Sequence, residues 1–301
     1  MELWIPITLC AAFMQNLRSA LQKHLKSELS TSGATFSRFL FAAPLAVLYA
    51  SVLLANVTVE TPEISGKFLI YCAVGGTSQI IATALLVYLF SFRNFAVGTT
   101  YSKTEVIQTA LFGVVLLGEP IGWVAVLAIL VSLVGVMLIS VAKSAITGRN
   151  LILGWTSREA MIGIASGGFF GVSAVSFRAA SLSLDLGNAF VQAATTLAVA
   201  LIMQTLGMMI YLRLREPGQI RAVVASWRVS SIVGLSGMLG SVGWFTAMTL
   251  QNAAYVRALG QVELVFTFLA SYLFFKERSN ALEIGGIGLI VAGIVVLLLF
   301  R

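Results

Sequence analysis

Residues 94–119 read NFAVGTTYSKTEVIQTALFGVVLLGE, and residues 252–277 read NAAYVRALGQVELVFTFLASYLFFKE. Set one beneath the other, they align Asn94 with Asn252, Ala96 with Ala254, Glu105 with Glu263, Thr109 with Thr267, Leu111 with Leu269 and Glu119 with Glu277. The register runs on without a gap to Gly135 and Gly293. Apolar helices match by chance at Leu and Val, but not at paired glutamates inside apolar runs. The two stretches therefore read as copies. Earlier in each half the register shifts by a few residues, and Arg18 then falls on Arg178, Gly33 on Gly187 and Phe36 on Phe190.

Working outward, apolar runs bounded by charge, Pro or Gly predict spans near 3–22, 33–55, 66–90, 95–117, 121–142, 159–180, 187–211, 228–249, 254–275 and 280–300. The 301 residues are 58% hydrophobic and 10% charged, with a mean hydropathy of +0.96. A soluble domain carries about 25% charged residues, so an ordinary globule is excluded. Ten spans of about 20 residues leave no room for a soluble domain. The fold class expected is all-α: a polytopic membrane protein of ten transmembrane helices in two five-helix repeats, residues 1–146 and 147–301. An odd number of spans per repeat inverts the second repeat relative to the first, an arrangement typical of secondary transporters with a midplane site. Structural duplication without transport is the bland alternative, and it leaves the buried polar residues unexplained.

The net charge of +7 does not mark a nucleic-acid surface, because the bases sit mostly between the apolar runs. Twelve of them (Lys23, Lys26, Arg93, Lys143, Arg149, Arg158, Arg213, Arg215, Arg221, Arg228, Lys276 and Arg278) share the side of the first loop, against Lys67 and Arg301 on the other. The positive-inside rule then places that loop in the cytoplasm and both termini outside. Glu2 stands where a cleaved leader would be basic, so the first run is expected to be a retained span. Cys10 and Cys72 lie inside apolar runs, without the spacing of a disulfide or metal site.

Five bases (Arg18, Arg38, Lys103, Arg178, Arg257) and two acids (Glu105, Glu263) fall inside spans. Each costs at least ~2.5 kcal/mol at a helix centre, so such residues mark a cavity or a partner. Arg18 and Arg178, near span ends, have snorkelling to the interface as a competing explanation. Glu119, at a span end, reads as solvated. On a wheel of 100° per residue, Tyr101, Thr104, Glu105 and Gln108 share one arc of span 4, with Lys103 on the other side. Tyr255, Glu263 and Phe266 share an arc of span 9, with Arg257 and Gln261 roughly opposite. Neither glutamate then has an intrahelical base, which favours a titrating site over an ion pair across helices.

Polar stripes recur at Gln15, Arg18, Ser19 and Gln22, at Gly75, Gln79 and Thr83, and at Asn188, Gln192, Thr195 and Thr196. Each can line a cavity or bond a neighbouring helix. Gly234, Gly237, Gly240 and Gly243 strip one face of span 8 for close packing or ligand approach, with Trp244, Phe245, Tyr88 and Tyr101 as a candidate aromatic wall. Spans 5 and 10 carry small residues and no interior charge, as packing struts at the bundle edge do. His24 is the only histidine and lies in a loop, which excludes a His-based relay or triad.

The run Leu116-Leu117-Gly118-Glu119-Pro120 closing span 4, Phe274-Phe275-Lys276-Glu277-Arg278 closing span 9, and the Gly-rich span after each resemble the drug/metabolite transporter superfamily, specifically its EamA-type ten-helix members, among them aromatic amino acid exporters. The resemblance covers the whole chain on a short motif. It implies a central cavity lined by spans 1–4 and 6–9, peripheral spans 5 and 10, export of amino acids or related metabolites, and termini in the cytoplasm, against the basic-residue count.

The expected function is secondary transport of a small polar organic metabolite by alternating access, most simply an amino acid, in the bacterial inner membrane. An organic-anion, sugar-phosphate or nucleotide-sugar carrier is the alternative if the bases dominate, and an integral membrane enzyme acting on lipid is the outside rival. The candidate substrate-contacting residues are Gln15, Arg18, Gln79, Thr83, Tyr88, Tyr101, Lys103, Glu105, Gln108, Trp244, Tyr255, Arg257 and Glu263. No cofactor or metal is expected. The expected partners are the substrate, the bilayer and a coupling proton, with the chain a monomer or homodimer.

Overall fold

The computed structural model describes residues 2–26, 28–58, 62–92, 95–143, 156–273 and 280–300. Asn94, the Phe274 to Arg278 motif with Glu277, the bases Arg93, Arg149 and Arg301, and the boundary between the two repeats at 146/147 lie outside the described residues. Those residues form helices α1 (Trp4–Leu25), α2 (Thr31–Asn56), α3 (Gly66–Leu89), α4 (Phe95–Ser102), α5 (Glu105–Leu117), α6 (Trp123–Lys143), α7 (Arg158–Leu182), α8 (Ala189–Arg215), α9 (Gln219–Ala225), α10 (Trp227–Leu250), α11 (Ala253–Gly260), α12 (Val262–Leu273) and α13 (Ala281–Leu299).

Small polar residues start them. The side chains of Ser30, Ser65, Ser157, Asn188, Asn252 and Asn280 each accept a first-turn N–H of the helix that follows, which satisfies donors that have no intrahelical partner. Gly118, at φ 66°, ends α5 in the left-handed region that favours glycine.

Among the described residues seven helices are long and apolar enough to cross a bilayer: α2, α3, α6, α7, α8, α10 and α13. The other three expected spans are built differently among the described residues. The C-terminal half of α1 carries Gln15, Asn16, Arg18, Gln22 and Lys23 and is too polar. Expected spans 4 and 9 are each broken in two, into α4 with α5 and α11 with α12. At the first break Lys103 N bonds Thr100 O at 3.0 Å and Thr104 N bonds Tyr101 O at 3.1 Å; at the second, Gln261 N bonds Ala258 O at 3.2 Å and Leu264 N bonds Gln261 O at 3.0 Å. These are three-residue bonds, tighter than the helical four, and such mid-helix turns mark hinges or strain. Ser102 Oγ donates to Thr99 O at 2.7 Å and Thr104 Oγ1 to Tyr101 O at 2.6 Å, so hydroxyls compete for the carbonyls of the α4 end.

The most extensive helix contacts join the first half of the chain to the second: α6 with α13, α3 with α7, α1 with α10, and α2 with α8. Swapping the halves turns the α3–α7 pairing into α1–α10 and returns the other two to themselves. Glycine sets the approach of α6 and α13. A Cβ on Gly135 would stand 2.5 Å from Gly286 O, and one on Gly286 would stand 2.7 Å from Gly135 O. With lipid outside, such contact replaces the hydrophobic effect as the packing force. Outer faces carry exposed Leu, Val and Ile on nearly every helix, as lipid contact requires.

Candidate substrate cavity

The two helix breaks face each other across the molecule. Lys103, at the first, is ion-paired with Glu263 Oε1 on α12, and Gln15 Nε2 of α1 donates to Glu263 Oε2 at 3.1 Å. Arg257 Nη1 of α11 meets Glu105 Oε1, the first residue of α5, at 3.1 Å. Each half thus supplies a base to the other half's glutamate. The guanidinium of Arg257 also lies 4.8 Å over the Trp244 ring, a cation–π arrangement, and Gly260 leaves room for that ring, which a Cβ there would meet at 2.5 Å.

Two further arginines sit beside these pairs with no carboxylate in ion-pair contact among the described residues. Arg18 is 5% exposed and makes no hydrogen bond or ion pair among the described residues, its Nε buried and unpartnered. Arg38 is 3% exposed; its Nη1 donates to Thr83 Oγ1 at 3.2 Å and its Nε is likewise unpartnered. Both stems pass over Gly237 of α10, where a Cβ would lie 3.3 Å from Arg38 Cγ and 3.4 Å from Arg18 Cδ. The bare face of α10 is thus mostly a packing surface for α1 and α2, and at Gly237 it seats the two arginines.

A cavity of about 190 Å³ opens onto this cluster, lined by Gln15, Arg18, Lys103, Glu105, Arg257 and Glu263, with Asn16, Ser19, Leu86, Phe90 and Phe170 around them. Deeper in, Arg18, Arg38 and Arg257 line a smaller chamber with Gln15, Gln79, Ser241 and Trp244.

Of the thirteen candidates, Gln15, Arg18, Gln79, Lys103, Glu105, Trp244, Arg257 and Glu263 are brought together here. The other five are not. Thr83 is held behind Arg38 as its acceptor. Tyr88 accepts from Arg158 Nη2 at 3.1 Å and edges a separate apolar groove between α3 and α8. Tyr101 packs on Ala160 and Ile164. Gln108 donates to Thr104 Oγ1 at 2.8 Å and Ile164 O at 3.3 Å against the glycine face of α7. Tyr255 lies among apolar side chains of α5, α6 and α13. Two side chains on the span 4 arc, Tyr101 and Gln108, and one on the span 9 arc, Tyr255, are thus taken by interhelical packing.

The wheel placed Lys103 away from the cavity, and the three-residue turn brings it in. Arg38, an in-span base by sequence but not among the thirteen candidates, and Phe170, which the sequence does not single out, also line this region. Thr31 and Thr35 precede Arg38 on one face of α2 but lie near its start. The stripe on α8 makes local bonds, Thr196 to Gln192 O within the helix and Asn188 as its cap, while Gln204, further along and outside the stripe, donates to Gln79 Oε1 at 2.9 Å and to Gly76 O at 3.1 Å.

At one end of the bundle, Arg178 of α7 closes a different cluster. Its Nε donates to Glu119 Oε1 at 2.7 Å, and its Nη1 donates to Met248 O and, at 2.7 Å, to Gln251 O at the end of α10. Arg178 does not snorkel, and Glu119 is not a solvated end residue: its Oε2 is buried. At the other end, just beyond α1, Lys26 donates to Thr31 Oγ1 at 2.6 Å; partial burial lowers its pKa, against the opposing pull of Glu216.

A helical bundle whose two halves exchange ion pairs around a polar cavity is a membrane transporter of small molecules. The family model of the EamA-like transporter family matches residues 2–141 and 159–299, and the chain belongs to that family within the drug/metabolite transporter superfamily. A protein of known crystal structure superposes with a TM-score of 0.67 over 97% of this chain and 95% of its own, at 14% identity, which shows a shared fold. No protein of curated function matches the sequence.

Proposed function

We propose that this chain carries a small polar organic metabolite by alternating access between two inverted repeats, residues 1–146 and 147–301, and that it works as an exporter in a bacterial inner membrane. The crossed ion pairs Lys103–Glu263 and Arg257–Glu105 carry this reading. Each joins the broken helix of one half to that of the other, so relative motion of the halves must act through the cavity between them. Amino acids and organic anions are the two substrate classes that a lining of both signs can address.

A cavity of about 190 Å³ exceeds the 150 Å³ that accepts benzene, so a substrate of metabolite size fits. Both acids have cations as partners, which favours a fixed ion-pair role over a titrating one and hence a carrier without proton coupling. Counterflow in proteoliposomes tests the reading. Substrate-loaded vesicles should accelerate uptake of labelled amino or organic acid, with no accumulation driven by a pH gradient. Absence of counterflow for every metabolite class would refute transport, and gradient-driven accumulation lost in Glu105→Gln or Glu263→Gln would restore the titrating acid.

A further inference from the structure

We infer that the transported substrate is a small organic anion, and that Arg18 and Arg38 form the seat for its oxyanion group; this rests on the transport reading above. Four bases and two acids meet at the cavity. The crossed pairs use two of the bases and both acids, so two guanidiniums are left with no carboxylate partner among the described residues. The inner chamber makes the imbalance local, because Arg18, Arg38 and Arg257 line it and no acid does. Arg18 also lines the larger outer cavity.

A buried charge without a partner costs several kcal/mol in a low-dielectric interior, and two such charges side by side add repulsion. A protein tolerates this where a ligand supplies the missing charge. Guanidiniums present planar forks that match carboxylate and phosphate oxygens in pairs. The Nε of Arg18 and of Arg38 are both still unpartnered. A zwitterion fits less well. Its ammonium needs a carboxylate, and both are already held by Lys103 and Arg257.

The inner chamber, about 10 Å³, is at the lower limit for one water. The oxyanion therefore binds from the outer cavity against Arg18, with Arg38 as the second charge behind it, and the organic body occupies the 190 Å³ cavity beside Phe90 and Phe170.

The test compares succinate, glycerol phosphate, alanine, phenylalanine, cadaverine and succinamide in counterflow, alongside thermal stability of the purified protein with each. Organic anions should exceed the uncharged amide at least tenfold in initial rate and should raise the melting midpoint. The relative response to succinate and to glycerol phosphate tells carboxylate from phosphate as the bound group. Arg18→Gln should reduce anion counterflow tenfold or more, with Arg18→Lys retaining part of it.

Stability separates a binding role from a structural one. Removing an unpaired buried charge should raise the melting midpoint of the ligand-free protein in Arg18→Gln and abolish the further rise with anion. A lower ligand-free midpoint in both Arg18→Gln and Arg38→Gln would make the arginines structural and overturn the proposal. Counterflow of zwitterions or cations without anions would overturn it while leaving the transporter reading intact. Counterflow of no class would remove the reading itself.

Discussion

Replacing Glu263 by Gln removes one of the two carboxylates that tie the halves together across the cavity. Lys103 and Gln15 both donate to it, one to each oxygen. Breaking a fully buried ion pair by deleting one partner costs 3–5 kcal/mol, but these side chains keep 25% and 12% of their exposure, and the new amide oxygen still accepts from Gln15. The expected loss is thus about 2 kcal/mol, near the value of one charged hydrogen bond. Lys103→Gln should cost a similar amount, since it strands the Glu263 carboxylate where Glu263→Gln strands the Lys103 ammonium. In the double variant no charge is stranded, and the two amides can bond each other over the same gap. A coupling energy of about 1–2 kcal/mol is expected, within the range for contacting residues. Equilibrium unfolding of the parent, both singles and the double in bicelles, at one pH and salt concentration, measures it. Additivity within about 0.3 kcal/mol, the behaviour of independent sites, would show that the bridge contributes nothing net and would sink the argument that it couples the halves.

Gly135→Ala should destabilise the α6–α13 contact by about 1–3 kcal/mol, the usual range for overpacking, because the added methyl meets the Gly286 carbonyl and Ile290. Gly288→Ala, where nothing lies within 4 Å, should be neutral or stabilising by up to about 1 kcal/mol through helix propensity; similar losses from both, in the same unfolding assay, would contradict the glycine reading. Glu119→Gln should lower stability by about 1.5–3 kcal/mol, as loss of a charged hydrogen bond from Arg178 does, and a Glu119→Gln protein indistinguishable from the parent would return that residue to the solvated surface. Reporter fusions in the segment between Lys143 and Arg158 should score cytoplasmic and fusions after Arg301 external, following the twelve-to-two asymmetry of bases; a cytoplasmic tail would restore the orientation that the family resemblance implies.

The duplication was legible because glutamates inside apolar runs are too costly to align by accident, and the helices followed from the apolar runs between charge, Pro and Gly. The cluster of charges was legible for the same reason of cost. Its wiring was not. A wheel assumes one angular step per residue, whereas the turns at Lys103 and Gln261 bond across three residues and rotate everything beyond them, so Lys103 joins the face from which the wheel excluded it. Polar residues that a neighbouring helix absorbs, such as Gln108 and Thr83, look in sequence the same as those left for a ligand. Only the packing of α7 against α5 and of α10 against Arg38 distinguishes them.

Arg18 and Arg178 occupy equivalent places in the two copies, yet the structure uses them differently. Arg178 is held by one carboxylate and by carbonyls from the end of α10, which fastens α5, α7 and α10 together at one end of the bundle. Among the described residues, which leave out Glu277, the counterpart of Glu119, Arg18 makes none of the matching bonds, and it lines the cavity. Two related halves that adopted the same side-chain arrangement would leave both ends of the pathway alike, either both fastened or both loose. A carrier that opens to one side at a time has to break that equivalence, and it can do so with little backbone change if a single side chain in each half has two alternative sets of partners. The arginine pair is where the equivalence is broken here. Among the described residues the two arginines thus differ in partners, Arg178 fastened to Glu119 and to the end of α10 and Arg18 set in the cavity wall.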